Sequence, residues 1–166
     1  MEYKHLTHNF DPIYNNDSKI LILGSFPSVK SREIDFYYGH PQNRYWKVLA
    51  SVLGVEVPQT PEEKTRMLLD NNIAIWDVIH SCSIIGSSDS SIKDVVVNDF
   101  SKIIENSNVK AIYVNGGKAY DLYHKYAEKS TGIKAIKLPS TSPANAAWSL
   151  DRLIQSWKQI KDVLDK

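Results

Sequence analysis

The sequence has one cysteine, Cys82, so it can form no intrachain disulfide, and no Cys/His spacing resembles a zinc site. No stretch approaches the roughly 20 apolar residues that a membrane span needs, and the amino terminus is polar, unlike a secretory signal. Basic and acidic residues nearly cancel, 20 against 19, which disfavours a protein that coats DNA but not one that contacts a few phosphates. These features predict a soluble, cytoplasmic protein with one domain, residues 1–166.

The order of strand-like and helix-like segments predicts an α/β fold. Four short apolar runs are typical of buried parallel strands, at 19–23, 73–78, 110–114 and 133–138. Apolar residues at helical spacing predict helices at 43–53, 60–71, 98–107, 118–129 and 142–164, the last with Ser142 as its N-cap and Pro143 as its first residue. This alternation predicts a parallel sheet with helices on both faces.

The carboxyl ends of the four predicted strands have similar residue types. In open parallel sheets, ligands bind in the crevice outside these ends. Here the ends are small, polar or rich in glycine: Gly-Ser-Phe-Pro at 24–27, Trp-Asp at 76–77, Asn-Gly-Gly at 115–117 and Pro-Ser-Thr-Ser-Pro at 139–143. The connection from Gly24 to Trp46 adds closely spaced aromatic rings and amides, as ligand-binding loops do. The sequence therefore predicts a polar crevice with an aromatic wall, and a helix starting at Ser142 would favour a phosphate at its amino terminus.

Several candidate groups also have a purely structural interpretation. Asn43 is well placed to cap the helix that follows it, and on composition alone this is the preferred interpretation. Asp77 is about as suited to closing the turn after its strand as to contacting a substrate. Ser25 and Ser28 lack the Gly-x-Ser-x-Gly setting of a seryl nucleophile. Cys82 is more typical of a buried structural cysteine than of a thiol nucleophile.

Three blocks of the sequence together resemble the uracil-DNA glycosylase superfamily, and most closely its hypoxanthine (deoxyinosine) DNA glycosylase branch. They are Gly-Ser-Phe-Pro-Ser at 24–28, Tyr-Gly-His-Pro-Gln-Asn-Arg-Tyr-Trp at 38–46, and Leu-Pro-Ser-Thr-Ser-Pro-Ala-Asn at 138–145. The segment Ala-Ile-Trp-Asp-Val at 74–78 is also similar to that branch. The Pro-x-Asn-x-aromatic-Trp pattern in the second block is the most specific part.

The resemblance implies a three-layer α/β/α sandwich with a central four-stranded parallel sheet. It also implies a monofunctional DNA glycosylase that flips a damaged base out of DNA and hydrolyses its N-glycosidic bond without a metal or another cofactor. The expected partner is double- or single-stranded DNA containing a damaged base, and we expect a monomer that does not bind membranes. In the superfamily an Asp or Asn usually precedes the proline of the first block, whereas this chain has Phe26 there.

The hypoxanthine branch supplies the missing amide from its Pro-x-Asn block, which corresponds to Asn43. We therefore expect Asn43 to be catalytic, positioning water or holding the departing base, with its carboxamide in the crevice instead of capping. The expected base-binding residues are Ser25, Phe26, Tyr38, Asp77 and Asn115. The expected phosphate-binding residues are Ser28, Ser140, Thr141 and Ser142, which occupy loops at the crevice; no residue is expected to bind a metal.

Hypoxanthine is the expected lesion, and three alternatives are weighed against it. The same fold could excise uracil or xanthine from DNA. The chain could bind damaged DNA without catalysis, with Phe26 marking lost chemistry. It could also be a small-molecule α/β enzyme, such as a nucleoside hydrolase or an esterase. Neither of the last two explains the three blocks together.

Overall fold

The computed structural model describes residues 2–166. The strands are β1 (Lys4–Thr7), β2 (Ile20–Gly24), β3 (Ile73–Asp77), β4 (Ile79–Ile84), β5 (Lys93–Val97), β6 (Ala111–Asn115) and β7 (Ala135–Leu138). The α-helices are α1 (Val29–Ile34), α2 (Tyr45–Leu53), α3 (Pro61–Asp70), α4 (Ser101–Glu105), α5 (Gly117–Tyr126), α6 (Glu128–Thr131), α7 (Leu150–Trp157) and α8 (Lys161–Leu164). Short 3-10 turns occur at Asp89–Ser91 and Lys158–Ile160. No helix in residues 2–166 is long and apolar enough to cross a membrane.

The predicted parallel sheet is confirmed, with four strands in the order β3-β2-β6-β7. Its register aligns Gly24 with Asp77, and Asn115 with Leu138. Because the strands are parallel, these residues and the loops that follow them lie at one edge of the sheet. The register therefore brings the predicted crevice residues to a single place.

The sheet separates two apolar clusters, which explains why β2 is a continuous apolar run. Ile20 and Ile22 belong to the cluster that contains buried residues of α2, α3 and α7. Leu21 and Leu23 belong to the other cluster, with buried residues of α4 and α5. Side chains alternate across a strand, so a strand covered on both faces must be apolar at every position. The predicted three-layer α/β/α arrangement is confirmed.

A second sheet was not predicted. It is antiparallel, with the order β1-β4-β5, and it packs beside the end of β3. Its outer strands β1 and β5 are mostly exposed and carry charged residues, so they lack the apolar run that marks a buried strand. Asn98 secures the bend between β3 and β4, because its buried side chain donates to the carbonyls of Asp77 (2.9 Å) and Ile79 (3.2 Å). Those contacts accompany a late start of α4, at Ser101 rather than at residue 98.

The predicted start of the last helix at Ser142 is wrong. Ser149 is the N-cap of α7, and its side chain accepts a hydrogen bond from the backbone N–H of Arg152 at 3.2 Å. Residues 139–149 form a loop instead of a helical turn. The reason is Arg44, whose guanidinium binds the carbonyls of Ser142 and Asn145, at 3.0 and 3.1 Å, and that of Trp148. A helix starting at Ser142 would need the first two of those carbonyls for its own ladder.

Candidate active site

A cavity of about 310 Å³ opens at the carboxyl edge of the parallel sheet. Every residue predicted for the site lines it: Ser25, Phe26, Ser28, Tyr38, Asn43, Asp77, Asn115, Ser140, Thr141 and Ser142. The structure thus brings together all the candidates that the sequence scattered over three blocks and two strand ends. Their individual roles depend on which of their polar atoms remain available to a ligand.

The side chain of Asn43 lines the cavity, and the residue lies just before Arg44, the N-cap of α2. Its Oδ1 accepts hydrogen bonds from the backbone N–H of Tyr45 at 2.9 Å and from the hydroxyl of Thr141 at 2.9 Å. A backbone N–H can only donate, so the atom that faces it must be the carboxamide oxygen. The amide is therefore held in one orientation, and Nδ2 is the end that makes neither of these contacts.

Thr141 connects Asn43 to the end of β6. Its hydroxyl accepts a hydrogen bond from Nδ2 of Asn115 at 3.0 Å, and its backbone N–H donates to Oδ1 of Asn115 at 3.0 Å. Thr141 is fully buried. Both of its donors are used inside the protein, so the expected phosphate contact of Thr141 does not fit this structure. Thr141 instead fixes the side-chain amides of Asn43 and Asn115 relative to each other.

The neighbouring serines are better placed for an anion, although no helix starts among them. Oγ of Ser140 accepts from the backbone N–H of Ser142 at 3.1 Å, and Oγ of Ser142 accepts from that of Ala144 at 3.2 Å. Accepting these bonds leaves each hydroxyl proton able to donate. Ser28, by contrast, caps α1 and donates to the hydroxyl of Ser31 at 3.2 Å. A phosphate contact is therefore better supported for Ser140 and Ser142 than for Ser28.

Asp77 lies at the cavity floor beneath Gly24, and its residue surface is 4% exposed. A Cβ on Gly24 would lie 2.5 Å from Oδ1 of Asp77 and 2.9 Å from the hydroxyl oxygen of Tyr38. Glycine at this strand end therefore makes room for two polar groups in the cavity. Burial, and then the charge of Asp77, raise the pKa of the Tyr38 phenol far above its usual range, while the nearby Asn115 side chain lowers it. The Tyr38 hydroxyl consequently keeps its proton.

Phe26 and Tyr38 are two of the aromatic residues that line the cavity. The Phe26 ring is largely buried, with 9% of the residue exposed, and the Arg32 guanidinium lies 5.7 Å from its centre. Tyr38 stacks on Tyr45, with ring centres 4.0 Å apart and planes 15° from parallel. Its backbone has a φ of 49°, a left-handed conformation that is uncommon for an aromatic residue and often occurs at functional sites. Both rings are thus fixed before any ligand enters.

Asp89 is a cavity residue that sequence analysis missed. It comes from the loop after β4, and its Oδ1 accepts a hydrogen bond from the Ser25 hydroxyl at 3.0 Å. The residue is exposed at the cavity mouth, yet its carboxyl faces the protein wall, and this desolvation raises its pKa, while Ser25 and Lys118 lower it. No local pattern marked Asp89, since it lies in a serine-rich turn far from the three blocks.

Two further residues of the site were missed. His8 contacts Asp77 from the segment after β1, where the sequence shows no periodicity. Arg44, which binds carbonyls of the 139–149 loop, lies in the block at 38–46. Because that block is the most specific of the three, the sequence did contain a signal for Arg44.

The candidate nucleophiles Ser25 and Cys82 are not arranged for covalent catalysis in this geometry. The Ser25 hydroxyl donates to a carboxylate, not to a histidine. Cys82 is completely buried, as expected for a structural cysteine, and burial raises the pKa of its thiol to about 11. Within residues 2–166, no group of three or more His, Cys, Asp or Glu side chains could hold a metal ion.

Comparisons with known proteins agree with this geometry. The profile of the Uracil DNA glycosylase superfamily matches residues 12–163. The Hypoxanthine DNA glycosylase of Methanosarcina acetivorans is 34% identical over 149 residues, which cover 89% of this chain and 93% of that protein. The protein of the same name from Methanosarcina barkeri is 33% identical over 138 residues, which cover 82% and 86%.

The fold can be compared with a solved structure as well. The solution NMR structure of a candidate uracil DNA glycosylase from Methanosarcina acetivorans matches with a TM-score of 0.81 at 34% identity. The match covers 95% of this chain and 97% of that one. The profile, the relatives and the fold give the same answer: this chain belongs to the uracil DNA glycosylase superfamily.

Proposed function

We propose that this protein is a monofunctional DNA glycosylase that flips hypoxanthine out of DNA and hydrolyses its N-glycosidic bond. The observation that carries the proposal is the orientation of Asn43, whose oxygen is anchored by Tyr45 and Thr141 while the side chain lines the cavity. Membership of the superfamily and the names of two relatives point to the same chemistry.

The anchored amide suits one of its two expected roles. Cleavage of the glycosidic bond sends negative charge onto the departing base, and a fixed N–H donor near the base stabilises that charge. Both lone pairs of the Asn43 oxygen already accept hydrogen bonds, so this oxygen is poorly placed to orient an attacking water. In our proposal Nδ2 of Asn43 therefore donates to the departing base.

The cavity floor and wall suit a flipped purine. Hypoxanthine presents an N–H at N1 and a carbonyl at C6, whereas adenine presents a bare acceptor and an amino group. The carboxylate of Asp77 can accept the N1–H, and backbone N–H groups around Ser25 and Phe26 can donate to the carbonyl. Adenine would face unpaired groups at both positions, which is strongly disfavoured in a closed site. Stacking on Phe26 or Tyr38 offsets part of the cost of flipping, by about 1–3 kcal/mol per base.

Water is the better-supported nucleophile. No lysine lines the cavity within residues 2–166, so no amine is present to form the covalent intermediate of a lyase. Ser140 and Ser142 supply hydroxyl donors on the rim, where they can hold a phosphate beside the flipped nucleotide. These features support simple hydrolysis to a free base and an abasic site.

The test is an excision assay with matched duplexes that carry a single inosine, uracil or xanthine. Alkali cleaves the strand at abasic sites, so the product is read directly on a denaturing gel. We expect excision of hypoxanthine to be the fastest, and replacement of Asn43 by Ala to slow it at least about tenfold. Faster excision of uracil or xanthine would assign a different lesion.

Other outcomes would point to a different class of protein. Tight binding of the inosine duplex without any abasic product would indicate a non-catalytic binder. Cleavage of free inosine would indicate a nucleoside hydrolase. Labelling of Ser25 or Ser28 by a serine-directed probe would indicate an esterase.

A further inference from the structure

A buried histidine–aspartate pair lies under the cavity. Nε2 of His8 is 2.8 Å from Oδ2 of Asp77, and the two side chains are only 2% and 6% exposed. The backbone N–H of His8 donates to the carbonyl of His80 at 2.6 Å, which fixes the residue to the antiparallel sheet. The His8 ring also packs against Phe10, with ring centres 4.5 Å apart. His8 therefore cannot turn away from Asp77 without disturbing the core.

The two oxygens of the Asp77 carboxylate are consequently not equivalent. A carboxylate only accepts, so the proton between the two residues is donated by Nε2 of His8 to Oδ2. Oδ1 instead lies against Gly24, a residue that lines the cavity. Within residues 2–166, His8 is the only group that hydrogen-bonds to this carboxylate. The buried His8 ring thus stands against Oδ2, whereas Oδ1 has no hydrogen-bond partner within the described residues and is the oxygen left for a ligand.

This asymmetry matters for purines that carry a carbonyl at C6. Hypoxanthine and guanine both have an N1–H beside that carbonyl, and they differ only in the amino group that guanine carries at C2. A carboxylate with two available oxygens accepts both N–H groups of guanine side by side, as it does with the fork of an arginine. A carboxylate with one available oxygen accepts only the N1–H, and the amino group of guanine is then buried without a partner.

We propose that His8 is a positioning residue that leaves Asp77 a single acceptor oxygen and so makes the cavity favour hypoxanthine over guanine. The inference rests on the proposed function, because it assigns base selectivity to that same site. It supplies a discrimination that the enzyme needs, since guanine is abundant in undamaged DNA. It also gives a role to a residue that follows β1 and reaches Asp77 at the floor of the cavity.

The experiment uses two duplexes of one sequence, with inosine or guanine opposite thymine. Both form wobble pairs, so they differ in the amino group alone. Affinity is measured with a 2′-fluorinated sugar at the target nucleotide, which slows cleavage, and excision is measured with the natural sugar. The variants are His8→Phe, which keeps a ring and removes the donor, and His8→Gln, which keeps a donor.

We expect His8→Phe to lower the preference for inosine over guanine, in affinity and in excision, at least about tenfold. His8→Gln should stay within about threefold of the original protein. An equal loss on both duplexes in His8→Phe, with the ratio unchanged, would show that His8 is merely structural and would overturn the inference. The inference would also be overturned if the preference for inosine over guanine fell as far in His8→Gln as in His8→Phe.

Two controls separate this result from other failures. If the unmodified protein does not excise inosine, the proposed function fails, but the ratio of affinities still decides the role of His8. If His8→Phe does not fold by circular dichroism, His8→Asn replaces it, because its shorter amide does not reach Oδ2. An unchanged ratio in the folded His8→Asn variant would equally overturn the inference.

Discussion

Replacing Asn43 by Asp tests whether the amide acts as a donor. Aspartate keeps an oxygen where Oδ1 accepts from the Tyr45 N–H and from the Thr141 hydroxyl. It exchanges Nδ2 for a second oxygen and so turns the group that faces the base from a donor into an acceptor. Alanine removes both. Comparing the two variants therefore separates the loss of the donor from the loss of the anchoring contacts.

The structure gives the expected sizes of the two effects. Alanine loses two hydrogen bonds worth about 1 kcal/mol each, so its free energy of unfolding should fall by about 2 kcal/mol. Aspartate keeps the oxygen that accepts both hydrogen bonds and places a negative charge just before the amino terminus of α2, so its stability should change by less than about 1 kcal/mol. Both variants should lose at least tenfold in excision rate, about 1.4 kcal/mol in the barrier.

The assay is single-turnover excision of inosine from a duplex, with enzyme in excess, beside urea unfolding of each variant. Single-turnover conditions remove product release from the measured rate. We expect Asn43→Asp to be folded and as inactive as Asn43→Ala, or more so. Wild-type activity in Asn43→Asp would refute the donor role, because a carboxylate can orient water but cannot donate to the departing base.

Three further changes test other parts of the site. Thr141→Val removes the hydroxyl that joins Asn115 to Asn43, and we expect single-turnover excision to fall about tenfold. Gly24→Ala would force its Cβ to within 2.5 Å of the Asp77 carboxylate, so excision should fall at least about tenfold and urea unfolding should show a loss of about 1–3 kcal/mol. Asp89→Asn removes a negative charge at the cavity mouth, and the affinity for duplex at pH 8 and low salt should rise about two- to fivefold. Because the pKa of Asp89 is raised, the carboxyl is neutralised earlier as the pH falls, so this gain should shrink at pH 5.

Each of these changes has a matched control. Thr141→Ser keeps the hydroxyl and should retain activity. An equal loss of excision rate in Thr141→Ser and Thr141→Val would show that the hydrogen bonds of this hydroxyl to Asn115 and Asn43 are unimportant. Gly117→Ala should be harmless, since its Cβ meets no atom within 4 Å. If Gly24→Ala were as active as Gly117→Ala, the close approach of Asp77 would be unimportant. For Asp89→Asn the control is Glu62→Gln, an exposed acidic position in α3, and an equal rise in affinity there would show a general charge effect.

The position of Arg44 shows how a loop can be decided by a distant side chain. Ser142 and Pro143 form a good local start for a helix, and the prediction based on them was wrong. Arg44 binds carbonyls about a hundred residues further along the chain, and the loop that results places Thr141 against Asn43. The motif around Asn43 therefore carries both the amide and the residue that shapes its surroundings.

The parallel sheet was determined by the sequence itself. Buried parallel strands need an apolar residue at nearly every position, so the four runs were visible, with bounds that differ from the observed strands by two residues or fewer. Small and polar residues at their ends also identified part of the cavity lining. These signals depend only on residues that are adjacent in the sequence, so they can be recognised without a structure.

Only the tertiary structure decided which polar atoms of the site remain available. The bond between His8 and Asp77 joins residues 69 positions apart, and the bond between Asn43 and Thr141 spans 98 positions. No local pattern encodes such contacts, because they arise from the packing of one sheet against the end of another and of a loop against a helix start. Those two contacts fix the direction of an amide and the free oxygen of a carboxylate, on which the proposed chemistry and base selectivity rest.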